Sequence, residues 1–358
     1  MIWISILLTS SIVSIVYYSF FYYEFLKYKN LRNGVEQGIS VVIAAHNELG
    51  NLEKLIPAIK NQSHSDFEII VANDRSTDGT ETFLKSQKIK YLNILQTPLN
   101  KSPKKHALAS AILMAQKPVI VLTDADCVPV SNDWLKGMLE GFLPDVEIVL
   151  GYSPYKRTSG LLNFLIRFDT FQGAMLFFSS TLSGNAYMGV GRNIAYKKAL
   201  FEKIGFEKHI HVAGGDDDLF VRDSSNGRNV GIKLEKNAQT VSIPKTTYKQ
   251  WFSQKRRHQT AGIYYNILDK IYLGCFQLAT VLFYISSFFA FFLDKHTLLV
   301  VIIFILRTLG LVLIQKFVSV KLDDRFAWFM VPLLDFVCVW INTIVGITVL
   351  IRKKVTWK

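Results

Sequence analysis

Val119-Ile120-Val121-Leu122-Thr123-Asp124-Ala125-Asp126-Cys127-Val128-Pro129 is an apolar, β-branched run that stops on two carboxylates one residue apart. Four successive apolar residues predict a strand buried on both faces, and side chains two apart at its end point the same way. Asp124 and Asp126 are therefore expected to face one ligand together. Paired oxygen ligands suit a hard divalent cation, Mg²⁺ or Mn²⁺, which in turn holds a diphosphate. The plain alternative is a strand that ends in a polar turn.

Upstream, Ile39 to Ala45 reads as a first buried strand leading into His46-Asn47-Glu48, and Asn51 to Asn61 has helical apolar spacing. A second strand at Phe67 to Ala72 runs into Asn73-Asp74-Arg75-Ser76-Thr77-Asp78-Gly79-Thr80, a loop dense in helix-start residues before a helix at Glu81 to Gln87. A strand near Tyr91 to Gln96, the loop Lys101-Ser102-Pro103-Lys104-Lys105-His106 and a helix from Ala107 to Ala115 complete the alternation. Strands alternating with helices predict a mostly parallel, doubly wound α/β sheet, with ligands bound beyond the carboxyl ends of the strands. Glu48, Asp74, Lys104 or Lys105, Asp124 and Asp126 all fall on that rim. No G-x-G-x-x-G follows the first strand and no G-x-x-x-x-G-K-[ST] occurs, so the dinucleotide and P-loop signatures are missing.

Downstream, Asp133 to Phe142 reads as helix and Glu147 to Tyr152 as strand. Leu161 to Ser179 is too polar to span a bilayer, and suits either an amphipathic helix at the membrane face or core. Gly191-Arg192-Asn193 lies in a loop of small residues where a backbone approaches something closely. Asp216-Asp217-Asp218 sets three carboxylates side by side; at least one must have a raised pKa unless a cation relieves it, and one could accept a proton. Gln254, Arg257 and His258 share a helical face.

Of the 358 residues 50% are hydrophobic, yet 19% are charged, so the apolar residues must be segregated. Met1 to Tyr23, Cys275 to Leu293, Thr297 to Ile314 apart from Arg307, and Phe329 to Ile351 apart from Asp335 are each close to the ~20 residues that cross a bilayer. The first lacks a basic start and an Ala-x-Ala-like site, which favours an uncleaved anchor over a signal peptide. Much of the net charge of +13 flanks these segments, at Lys27, Lys29, Arg32, Lys255-Arg256-Arg257, Lys316, Lys321 and Arg352-Lys353-Lys354. That placement points to membrane lipid and away from nucleic acid. Cys127, Cys275 and Cys338 have no metal-like spacing, and a disulfide framework is not expected. Counted from a cytoplasmic catalytic domain, four spans leave Arg352-Lys353-Lys354 on the wrong side for the positive-inside rule, unless one segment is re-entrant or interfacial.

Taken in order, the residues from about Ile39 to His258 resemble a membrane-bound family 2 glycosyltransferase with a GT-A nucleotide-sugar domain, similar to the hyaluronan, chitin, cellulose and poly-N-acetylglucosamine synthase branch. The resemblance implies an inverting transferase that moves a sugar from a UDP-sugar donor to a lipid-linked or polysaccharide acceptor, with Mg²⁺ or Mn²⁺ on Asp124 and Asp126. It implies donor contacts at Ala45, Glu48, Asp74, Lys104, Asp124, Asp126, Gln254 and Arg257, and acceptor contacts at Gly191, Arg192, Asn193 and Asp216. Asp217 is implied as the base. Here Asp74-x-Ser76-x-Asp78-Gly79 looks like the uracil-binding loop, and Lys104-Lys105-His106-Ala107-Leu108 is similar to G-K-x-x-A-L with Pro103 in place of glycine. Gln254-Lys255-Arg256-Arg257-His258 departs from Q-x-x-R-W, and that leaves a processive polymer synthase as the alternative to single transfer. An inactive nucleotide-sugar-binding scaffold and a nucleotidyltransferase are further rivals. The expected parts are an anchor at 1–26, a catalytic domain at 35–262 on the cytoplasmic side of the inner membrane, and a membrane domain of about three helices at 272–352.

Overall fold

The structure, a computed structural model, describes residues 1–31, 36–212 and 214–351. Arg32, the connector residues Gly34 and Val35, Ala213, and Arg352, Lys353 and Lys354 lie outside them, as do the expected bounds at 35 and 352.

Helix α1 (Ile2–Lys27) leads to an alternating series: β1 (Ile39–Ala45), α2 (Leu49–Lys60), β2 (Phe67–Asp74), α3 (Thr80–Ser86), β3 (Lys90–Ile94), α4 (Pro103–Met114) and β4 (Val119–Leu122). Then come β5 (Cys127–Pro129), α5 (Trp134–Leu139), β6 (Ile148–Gly151), α6 (Leu161–Leu182), β7 (Ile194–Lys197), α7 (Lys198–Ile204), α8 (Asp218–Ser224), β8 (Val230–Lys233) and β9 (Thr240–Ser242). Four helices follow: α9 (Tyr248–Ala261), α10 (Ile267–Leu293), α11 (Thr297–Lys321) and α12 (Val331–Ile351).

Seven strands form one sheet in the order β3-β2-β1-β4-β7-β6-β8, parallel except at β7, which is antiparallel to β4 and β6. The unbroken apolar runs are explained by burial on both faces. Val41 and Ile43 join the layer with Leu52, Leu55, Ile56 and Ile59 of α2, whereas Val42 and Ile120 join that with Ala107, Leu108, Ala111 and Ile112 of α4. Register sets Val42 beside Leu122 and Ala45 beside Asn73, so the carboxyl ends of β1, β2 and β4 open on one rim. A two-stranded ribbon of β5 and β9 pairs Cys127 with Ser242.

Two boundaries that differ from expectation bear on the site. Strand β4 ends at Leu122, so Asp124 and Asp126 sit in the turn before β5 and not on a strand. Helix α4 begins at Pro103, whose missing N–H is no loss in a first helical turn, and Lys104 and Lys105 therefore stand on that turn. Helix α6 is largely buried, and its Phe168, Phe171 and Phe178 are in the main core.

Helices α1, α10, α11 and the segment Trp328–Ile351 are each long and apolar enough to cross a membrane. Between them Arg307 donates to Asp335 at 2.8 Å, and the same carboxylate accepts from Tyr284 at 2.7 Å and from Gln172 at 3.0 Å. Arg307 is 1% exposed. Asp335→Ala alone strands that guanidinium, and a loss of about 3–5 kcal/mol is expected. Thermal unfolding in detergent should show a large drop for Asp335→Ala and a smaller one for Arg307→Met combined with Asp335→Leu.

Candidate active site

The rim gathers the charged residues around one ammonium. Lys104 Nζ lies 3.0 Å from Asp124 Oδ1 and 2.8 Å from Asp216 Oδ2. Burial disfavours its charge, but Asp124 and Asp216 outweigh that and hold its pKa well above the usual range. The Asp124–Asp126 turn and the Asp216–Asp217 loop, more than ninety residues apart in sequence, are thus joined through one side chain.

On the first side, oxygens of Asp124 and Asp126 and the Cys127 sulfur all lie within 4.8 Å of one another. Burial and the Asp124 charge push the Asp126 carboxyl up, an excess of negative charge that a cation relieves. The Cys127 thiol, buried and 3.0 Å from Ser242 Oγ, is pushed well above its ordinary range. Its thiol form makes the two carboxylates the better donor set, and two oxygens fit Mg²⁺ or Mn²⁺. Arg192 flanks them, its guanidinium 4.5 Å from the Tyr155 ring and its Nη1 3.0 Å from Ser242 Oγ.

On the second side, the three aspartates separate by environment. Burial works against Asp216, but Lys104 holds its carboxyl below the usual range. Asp218 turns inward, accepts from Tyr265 at 3.0 Å and is raised well above it, by burial and then by Asp217. Asp217 stays partly open at the start of α8, accepting from the Gly191 N–H at 2.5 Å and the Asp218 N–H at 2.9 Å. Burial and neighbouring Asp216 raise it to about 6, a value suited to a proton acceptor near neutral pH.

The remaining expected contacts fall unevenly. Glu48, at the start of α2, is raised by burial and faces the same charges, with Asn51 donating to it at 2.5 Å. Ala45 ends β1 on the rim. Asp74 is fully buried and already paired in two-pronged fashion with Arg75, at 2.8 Å and 3.0 Å. Gln254 donates to the Tyr155 hydroxyl at 3.1 Å, and Arg257 is partly buried one turn along α9. His258 is exposed on α9 beside Arg257.

Asn193 is held within the fold. It is 0% exposed, accepts from the Trp134 indole at 2.9 Å and donates to the carbonyls of Tyr152 and Ala238 at 2.9 Å and 2.8 Å. An amide with those bonds ties α5, β6 and the approach to β9 together, and both of its N–H groups are committed. Gly191 packs against Asp217: a Cβ there would stand 3.2 Å from Asp217 Oδ2. Tyr155 and Lys245 were not legible as site residues. Lys245 makes no ion pair or hydrogen bond among the described residues, yet its charge bears on Glu48 and Asp126.

The family described as Glycosyl transferase family 2 matches residues 40–205. Comparison with curated proteins gives no match. Among solved structures, the mannosyltransferase PcManGT from Pyrobaculum calidifontis, in complex with GDP-Man and Mn²⁺, superposes with a TM-score of 0.65 at 17% identity, over 97% of this chain and 98% of that one. Staphylococcus aureus TarS 1–349 with UDP-GlcNAc gives 0.43 at 14% identity, over 87% and 91%. Mycobacterium tuberculosis glucosyl-3-phosphoglycerate synthase with Mn²⁺, UDP-Glc and glycerol 3-phosphate gives 0.45 at 16%, over 66% and 88%.

The Gly191 contact generates a direct test. Gly191→Ala should lower kcat by about tenfold or more through displacement of Asp217, with donor KM nearly unchanged, in steady-state assays of nucleotide release. By its family match the chain carries a Glycosyl transferase family 2 domain at residues 40–205, and it shares its fold with PcManGT.

Proposed function

We propose that the chain is an inverting glycosyltransferase that moves a sugar from a nucleotide-sugar donor, a UDP-sugar by the form of the Asp74 to Gly79 loop, to a lipid-linked or glycan acceptor. The work is assigned to the cytoplasmic face of the inner membrane. One observation carries the reading: Lys104 touches both the Asp124 turn and the Asp216–Asp217 loop, which is where a diphosphate would lie between metal and base. The GDP-Man and Mn²⁺ bound by PcManGT support a donor diphosphate and a divalent ion at this rim.

Asp124 and Asp126 would hold Mg²⁺ or Mn²⁺, which when bound supplies Lewis-acid stabilisation of the leaving diphosphate. Lys104 and Arg257 add positive charge on the same group. The acceptor hydroxyl attacks the anomeric carbon, the bond to the diphosphate oxygen breaks with its electron pair, and the proton passes to Asp217. Such general-base help is worth about 10²–10⁴ in rate.

Asp217→Asn should abolish transfer while the donor still binds, and Asp126→Asn should weaken nucleotide binding only when Mn²⁺ is present. Calorimetry and a nucleotide-release assay with a panel of sugars separate the two. Near wild-type turnover in Asp217→Asn would place the base elsewhere. Because Asp217 accepts a proton only when ionised and is raised to about 6, kcat/KM should be level above that pH and fall tenfold per unit below it.

A further inference from the structure

Helix directions in the membrane part can be read from paired residues. At the far end of the bundle the Met1 amine meets Asp294, 2.7 Å away, in the connection from α10 to α11. Trp3 stacks on Phe289 near that end, whereas Tyr17 bonds the Tyr272 carbonyl nearer the catalytic domain, so α1 runs opposite to α10. Helix α11 also opposes α10, since Val300 and Ile303 cluster with Ala290 while Phe304 stacks on Phe283. Helix α12 does the same. Asp335 accepts from Tyr284, and further along α12 Val339 and Thr343 accept from Gln277.

Consecutive helices α11 and α12 therefore both run toward the catalytic domain, which two successive full crossings cannot do. The chain between them never leaves that side. The Leu322 carbonyl accepts from Gln239, Asp324 pairs with Arg167 and accepts from Tyr152, and the Arg325 carbonyl accepts from Arg157. Phe326 then packs on Phe168 and Phe171 of α6, in the catalytic core. Val331 is only five residues on from Phe326, a reach of at most about 17 Å. The hydrocarbon core is about 30 Å thick. Past its start, α12 returns to catalytic elements: Asn342 donates to Asp169, which also binds Lys255 of α9, and Gly346 lies against Gln259.

We propose that Phe326 to Ile351 is a re-entrant element that enters and leaves the bilayer on the catalytic side, so that the chain crosses three times. The partner of its outer face is the lipid of the adjoining leaflet. Trp328 and Phe329 are 62% and 70% exposed, and Leu333, Phe336, Ile344 and Ile347 continue an apolar outer face along α12. Its inner face backs α9, the helix of Gln254 and Arg257, and makes a membrane-embedded wall beside the cleft. Three crossings also bring the basic residues after Ile351 to the side that holds Lys27, Lys29, Lys316 and Lys321, as the positive-inside rule requires.

The test uses the full-length chain carrying Cys275→Ser, which removes the exposed native thiol and leaves Cys127 and Cys338 buried. Single additions of Lys136→Cys on the catalytic domain, Lys295→Cys in the α10–α11 connection and Lys358→Cys are labelled in intact cells with a membrane-impermeant maleimide, before and after permeabilisation. All three are expected to react after permeabilisation, which excludes misfolding. Before it, Lys358→Cys should match Lys136→Cys and oppose Lys295→Cys. Labelling of Lys358→Cys together with Lys295→Cys would overturn the proposal, whatever sugar the enzyme transfers.

Discussion

The site depends on a single ammonium held between carboxylates from two distant segments. Lys104 is largely buried, and an unpaired lysine there would shed its proton; Asp124 and Asp216 keep it charged and in place. Because those partners come from the turn after β4 and the loop before α8, the contact fixes the Asp124–Asp126 half of the rim against the Asp216–Asp217 half. Everything proposed for the chemistry follows from that spacing. The Asp216 carboxylate, neutralised by Lys104, leaves Asp217 with the raised pKa, and Asp218 is diverted into the core by Tyr265.

The fold serves this arrangement through register. Parallel pairing of β1 with β2 and β4 brings three loop mouths to one edge, and the β5–β9 ribbon continues from the aspartate turn toward α9. Ile243 donates to the Asp126 carbonyl at 3.1 Å, so the segment that carries Lys245 and leads to Gln254 and Arg257 is anchored on the Asp124–Asp126 turn itself. Membrane helices then hold α9 from behind through Asp169, Lys255 and Asn342.

Much of this could be read in the chain because local patterns carry it. Apolar β-branched runs ending in polar loops fix the strands, and residues at strand ends fall on the ligand rim wherever the sheet is parallel. Asp124 and Asp126 are an exception, since β4 stops at Leu122 and a turn, not strand alternation, brings the pair together. What was hidden depends on tertiary partners. Asn193 sits in a motif that suggests acceptor contact, yet the Trp134 indole and two distant carbonyls claim its amide. Tyr155 and Lys245 lie in irregular stretches with no spacing to mark them, and the direction of α12 is invisible in a hydropathy profile because length and composition are the same for a crossing and a re-entrant helix.

The central claim is that a nucleoside diphosphate lies across Lys104, between the two acidic segments. Titration of UDP with Mn²⁺ into the wild type and into Lys104→Met, by calorimetry on protein of unchanged helical content, measures it directly. Loss of a charge-assisted contact to phosphate should weaken binding by about tenfold or more. Equal affinity in the two proteins would mean that the diphosphate lies elsewhere, and the site as described would fail.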